Sequence, residues 1–172
     1  RHGYGLADAS YGYDEVRALA EYLVHGGPRT EQERWEEEDG YSPSTIAAEV
    51  AGLVSAARLA QATGRDEDAL VYLGVADHWA RSVTDWCATT TGTDDLGPTP
   101  YFLRVTDDAD PDDGAVRSLA NGGATFDERG IVDAGFLELV RLGVTPPDDP
   151  VVENSLAVVD DTIRVATPNG PA

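Results

Sequence analysis

Gln32-Glu33-Arg34-Trp35-Glu36-Glu37-Glu38-Asp39-Gly40-Tyr41-Ser42-Pro43-Ser44-Thr45 sets five carboxylates within seven residues beside an indole ring, then opens into a helix. Pro43 suits a first helical position, where its missing N–H has no intrahelical bond to lose, and Ser42 is the natural cap before it. Ile46, Val50, Leu53, Val54, Ala57 and Ala60 recur at helical spacing, which predicts a packed helix from about Pro43 to Thr63, closed by Gly64. The acidic cluster therefore belongs on a loop anchored at the N-terminal end of that helix. Loops held by rigid elements are where binding and catalytic groups concentrate.

Outward from this stretch the chain reads as paired helices. Asp14 to His25 carries Val16, Leu19, Ala20, Leu23 and Val24 on one stripe and stops at Gly26-Gly27-Pro28. Asp66 is expected to cap a long helix to about Cys87, with Ala69, Leu70, Leu73, Ala76, Trp79, Ala80, Val83 and Trp86 facing inward. About three residues separate it from the helix before, so the two must form an antiparallel hairpin. From Ala88 to Asp127 Thr, Gly, Pro and Asp dominate, and only Tyr101-Phe102-Leu103-Arg104-Val105 reads as a strand. Long loops of this kind inside a compact domain are commonly functional. Ile131 to Leu142 is apolar almost all round and predicts a buried helix ending at Gly143. Asp149 caps and Pro150 starts a last helix, striped by Val152, Leu156, Val159 and Ile163, so that the order is one helix, the acidic loop and then two hairpins, with the Ala88 to Asp127 loop between them. The prediction is an all-α chain of about five helices with one long irregular loop.

Composition bounds the function. The 172 residues allow one domain with a real core, and a 41% hydrophobic fraction indicates a soluble globular chain. No apolar run approaches the ~20 residues that cross a membrane. The chain contains no Met, which predicts a processed piece or a fragment and leaves export open, so its compartment, cytoplasmic or secreted, is unknown. Twelve cations, every one Arg, face 32 Asp and Glu for a net charge of −20. Such a surface suits a high-salt environment, where screening tames self-repulsion, and predicts a halophilic source. It repels phosphate backbones and anionic lipids, so nucleic acid and membranes are not expected partners. The lone Cys87 excludes an internal disulfide and is expected buried and inert.

On charge alone, Glu36-Glu37-Glu38-Asp39 reads as a solvated face. Trp35 argues for more, because a carboxylic acid held beside an indole is a known way to raise a glycosidase acid's pKa. Asp108-Ala109-Asp110-Pro111-Asp112 invites a calcium reading and fails it, since Asp113 stands where an EF-hand loop needs Gly and Leu119 where it needs Glu. Arg129 and Asp133, four apart, are predicted to share a helix face, and spacing alone reads them as an ordinary ion pair.

Trp35-Glu36-Glu37 with Gly40-Tyr41-Ser42-Pro43-Ser44-Thr45-Ile46-Ala47-Ala48-Glu49 resembles glycoside hydrolase family 15, the glucoamylases, in their prokaryotic branch. So do Phe126-Asp127-Glu128-Arg129 and Asp133-Ala134-Gly135-Phe136-Leu137-Glu138-Leu139-Val140-Arg141-Leu142-Gly143. The resemblance runs from about Tyr22 to Pro171 and leaves Arg1 to about Tyr13 unmatched. It implies that residues 1–172 are a fragment of one catalytic domain, part of an (α/α)6 six-hairpin barrel whose remainder is its partner. It implies an α-glucan substrate and no cofactor or metal.

The resemblance also assigns roles. Glu36 is implied as the general acid that protonates the glycosidic oxygen, its pKa raised by neighbouring carboxylates and Trp35. Glu37 is implied to bind the sugar on the leaving side, and Trp35 to shape the pocket. Arg129 is implied to hydrogen-bond sugar hydroxyls, with Asp133 orienting it. Glu33 stands where fungal members carry Asp, in a supporting position. An inverting glycosidase also needs a base about 6.5–9.5 Å from its acid, and the family's base lies beyond the last residue here. The activity implied is exo-acting release of β-D-glucose from non-reducing ends, by an α-1,4- or α-1,6-acting (glucodextranase) member. A non-catalytic sugar-binding or relic module, with Glu36 idle, and a purely structural toroid are the readings it competes with.

Overall fold

A computed structural model of the chain describes residues 12–119, 124–168 and 170–171. They contain five α-helices: α1 (Tyr13–Gly26), α2 (Pro43–Ala62), α3 (Asp66–Cys87), α4 (Leu137–Arg141) and α5 (Pro150–Ile163). The all-α expectation holds, and no closed barrel forms among the described residues. The only sheets there are four antiparallel pairs of two or three residues per strand. No helix there is long and apolar enough to cross a membrane.

The hairpin of α2 and α3 is the centre. Ile46, Ala47, Leu53, Ala57 and Ala60 of α2 are buried, and α3 answers with Ala69, Tyr72, Ala76, Trp79, Val83 and Cys87. Gly64, at φ +75°, turns the chain between them, and the Arg65 N–H returns to Ala60 O at 2.8 Å. Arg65, not Asp66, is the residue before α3, and Asp66 begins the helix itself. The expected face of α3 holds at Ala69, Ala76, Trp79, Ala80, Val83 and Trp86, but Leu70 is exposed, Leu73 is only partly covered, and Tyr72 joins the buried ridge. Ser42 does precede α2, but its hydroxyl pairs with the Ser44 hydroxyl at 3.0 Å and makes no cap bond.

α1 and α4 pack on α2. The helix expected over Ile131 to Leu142 is much shorter. Asp133 is extended and accepts the Gly135 N–H, so helical structure begins only at a 3₁₀ turn over Ala134–Phe136 and continues as α4. Ile131 is held outside it, because its carbonyl accepts the Arg104 N–H at 2.9 Å. The expected second hairpin is replaced by α5 packing on Tyr101–Phe102 and on the Ala134–Phe136 turn. Asp149 caps α5 as anticipated, accepting the Val151 N–H at 2.8 Å. The buried face of α5 is Val152, Ser155, Val158 and Val159, leaving Leu156 and Ile163 exposed. Its Ser155 hydroxyl reaches into the core to accept the Phe102 N–H at 2.8 Å.

The expected strand over Tyr101–Val105 pairs only at Tyr101–Phe102, against Ala88–Thr89. Cys87 is fully buried and its thiol is pushed far up by burial, as expected of an inert cysteine. The acidic 108–112 stretch is a hydrogen-bonded turn. Burial works to raise the Asp112 carboxyl, but hydrogen bonds from Thr89, Thr90 and Thr91 hold it well below the usual carboxylate range. No group of three or more potential metal ligands comes together among the described residues.

Candidate active site

The acidic stretch is a closed loop. Arg29 pairs with Tyr41 and Thr30 with Gly40, so residues 31–39 leave and return at one point. Tyr41 exchanges backbone hydrogen bonds with Thr106 at 2.8 and 3.0 Å, which fastens the loop to the 101–106 segment. Gly40 permits this contact. Its φ is +135°, and a Cβ there would lie 2.1 Å from Thr106 O.

Inside the loop the Glu36 N–H donates to Glu33 O at 2.8 Å and the Glu33 N–H to Glu38 O at 2.9 Å. Glu36 takes the left-handed conformation, φ +58°, uncommon outside glycine. That turn holds Glu36 exposed. Its neighbour Glu37 is largely buried and ion-paired.

The pairing cation is Arg104. Its Nη2 donates to Glu33 Oε1 at 2.6 Å and to Glu37 Oε2 at 2.8 Å. Glu33, buried, uses its other oxygen to accept the Trp35 N–H at 2.9 Å. Trp35 is 55% exposed, flanked by Arg34 at 5.4 Å and Arg104 at 5.9 Å from its ring centroid. Its indole Nε1 donates to Asp133 Oδ2 at 2.8 Å. Arg117, also buried, ties down the loop's far end by binding Asp39 O and pairing with Glu38 at 3.5 Å and Asp107 at 2.9 Å.

Trp35, Arg104 and Asp133 line an open pocket of about 390 Å³, closed on its other side by Leu119, Phe126, Ile131, Val132 and Ile163. The volume falls in the range of small-ligand sites. Glu36 and Glu37 stand beside this pocket rather than in its lining. Arg129 and Asp133 are not brought together. Arg129 lies in a 3₁₀ turn, Glu128–Gly130, and its guanidinium grips Asp127 at 2.6–3.2 Å and Thr91 at 3.3 Å. The expected shared helix face fails because Ile131 to Asp133 are extended between the two 3₁₀ turns. Sequence reasoning singled out neither Arg104 nor Arg117. The available signal was a lone cation inside the apolar run Tyr101–Val105, which in a buried strand calls for carboxylate partners.

Helices paired around α2, with a carboxylate loop, an exposed indole and two buried arginines at one end, define an all-α protein with its polar site at the mouth of a helix hairpin. The family model for glycosyl hydrolases family 15 matches residues 3–171. The chain is 47% identical over 161 residues to a glucoamylase of Clostridium sp. (strain G0005), covering 93% of this chain and 23% of that protein. It superposes with a TM-score of 0.88 and 47% identity on the crystal structure of a bacterial glucoamylase complexed with acarbose, covering 93% of this chain and 24% of that one. The chain thus spans about a quarter of the length of these relatives. It belongs to glycosyl hydrolases family 15.

Proposed function

We propose that the chain supplies the acid side of a glucoamylase-type active site, which releases β-D-glucose by inversion from the non-reducing ends of α-glucans. The observation that carries this reading is the placement of Glu36, exposed on a left-handed turn between the pocket-lining Trp35 and the ion-paired Glu37. Glu36 is the proton donor to the glycosidic oxygen, Glu37 the acceptor for sugar hydroxyls on the leaving side, and Trp35 the apolar wall. Asp133 holds the indole at its N–H edge. Arg129, fixed by Asp127, is a further hydroxyl contact, independent of Asp133.

The water-activating base and the other pocket walls come from the remainder of the catalytic domain. The relative's acarbose complex supports a carbohydrate substrate. Neither nucleic acid nor membrane is a partner of a chain of net charge −20, which works in a high-salt setting. The full natural chain, incubated with maltotriose and followed by proton NMR, is expected to release glucose first as the β anomer. First release of the α anomer would contradict inversion.

A further inference from the structure

Arg104 is rooted in the core and reaches the one turn that matters for the proposed acid. Phe102, Leu103 and Val105 around it are buried, its own side chain is 10% exposed, and its N–H is tied to Ile131 O. One nitrogen bridges Glu33 and Glu37, the two carboxylates on either side of Glu36. From Glu33 the connection continues through two short links. Its Oε2 accepts the Trp35 N–H at 2.9 Å, and its carbonyl accepts the Glu36 N–H at 2.8 Å.

A non-glycine residue in a left-handed conformation persists only where its surroundings over-determine it. Here they do so from both sides of Glu36, through a single guanidinium. The arrangement is also hard to disturb gently, because removing one member of a buried ion pair leaves the other uncompensated.

The geometry points to Arg104 as a positioning residue. By clamping Glu33 and Glu37 it fixes where the Glu36 carboxyl and the Trp35 indole stand against the pocket. This rests on the proposed role of Glu36, and it assigns Arg104 no contact with the reacting atoms. A misplacement of about 1 Å at a catalytic group costs on the order of 100-fold in rate, so the clamp acts on kcat more than on KM.

The test is maltotriose hydrolysis by Arg104→Gln and Arg104→Lys in the full natural chain, with Glu36→Gln alongside. Arg104→Gln is expected to lower kcat about 100-fold with KM changed less than tenfold. Arg104→Lys, whose ammonium can still sit between the two carboxylates, should recover about tenfold of that loss. A folded Arg104→Gln with kcat within threefold of the parent overturns the inference, as does a Lys variant no better than Gln. Should Arg104→Gln fail to fold, the double variant Arg104→Gln/Glu33→Gln, which removes the cation together with the charge of its fully buried partner and leaves only the partly exposed Glu37, carries the same test. If Glu36→Gln keeps full turnover, it is the reading of the site that fails. If Glu36→Gln is dead and Arg104→Gln is active, only the clamp fails.

Discussion

Trp35 and Asp133 lie 98 positions apart and are joined side chain to side chain, the indole Nε1 donating to Asp133 Oδ2 at 2.8 Å. The bond ties the acidic loop before α2 to the turn that starts α4. Because Trp35 is half exposed, removing it should cost at most about 1 kcal/mol. Trp35→Phe is therefore expected to leave the denaturation midpoint almost unchanged while raising KM for maltotriose. A large stability loss with unchanged KM would make the tryptophan structural.

Gly40 presents the opposite balance. Its positive φ and the approach of Thr106 O leave no room for a Cβ. Strain and overpacking together predict that Gly40→Ala destabilises by about 3 kcal/mol or more. Urea unfolding would measure it, and a loss under about 1 kcal/mol would mean the loop is not fastened to the 101–106 segment as described.

Glu128 is fully buried, with one carboxyl oxygen accepting the Asp107 N–H and the other unpartnered among the described residues. Burial, with Asp113 and Asp107 nearby, pushes it up from 4.5 to about 7, against the Asp107 hydrogen bond and Arg117. Below pH 4.5 the folded and unfolded chains both hold this proton. Between 4.5 and about 7 only the unfolded chain releases it, so stability falls as pH rises through that window and levels off above it. Glu49, also raised by burial to about 7, acts in the same sense. Denaturation midpoints from pH 4 to 8 should decline less steeply in Glu128→Gln than in the parent. Parallel curves would rule out a buried, protonated Glu128.

Thirty-two carboxylates against twelve arginines repel one another in dilute buffer. The chain's melting temperature is expected to rise as KCl is raised from 0.1 M to molar concentrations, since screening lengths fall from about 10 Å to about 3 Å. A salt-independent transition would remove the argument for a high-salt habitat.

Much of the fold was legible because its signals are local. Pro43 at a helix start, Gly64 between two helices and Asp149 before Pro150 each act within a few residues, and the helices begin or end there. The faces were less legible. Leu70, Leu73, Leu156 and Ile163 fit helical stripes, yet Tyr72 and Ser155 took the inward positions because neighbouring elements reach them. The short α4 was hidden because apolar residues all round a segment do not distinguish a helix from an extended strand, and the hydrogen bond from Arg104 to Ile131 decided it. At the site, the carboxylates and Trp35 stood out in one run of sequence. The buried arginines that hold Glu33, Glu37 and Glu38 did not, being 67 or more positions away, whereas Arg29, ten positions from Asp39, pairs with it locally. Only the chain's return along 101–106 brings Arg104 to them.

The most direct test of the account is glucose release from maltotriose and isomaltotriose in molar KCl, comparing the full natural chain with its Glu36→Gln variant. The account predicts release by the parent and a loss of at least 100-fold in kcat for Glu36→Gln, with sugar affinity retained. The better of the two substrates reports the linkage preference. A parent that binds sugar without releasing glucose, or a Glu36→Gln variant as active as the parent, would contradict the assignment of Glu36 as the acid.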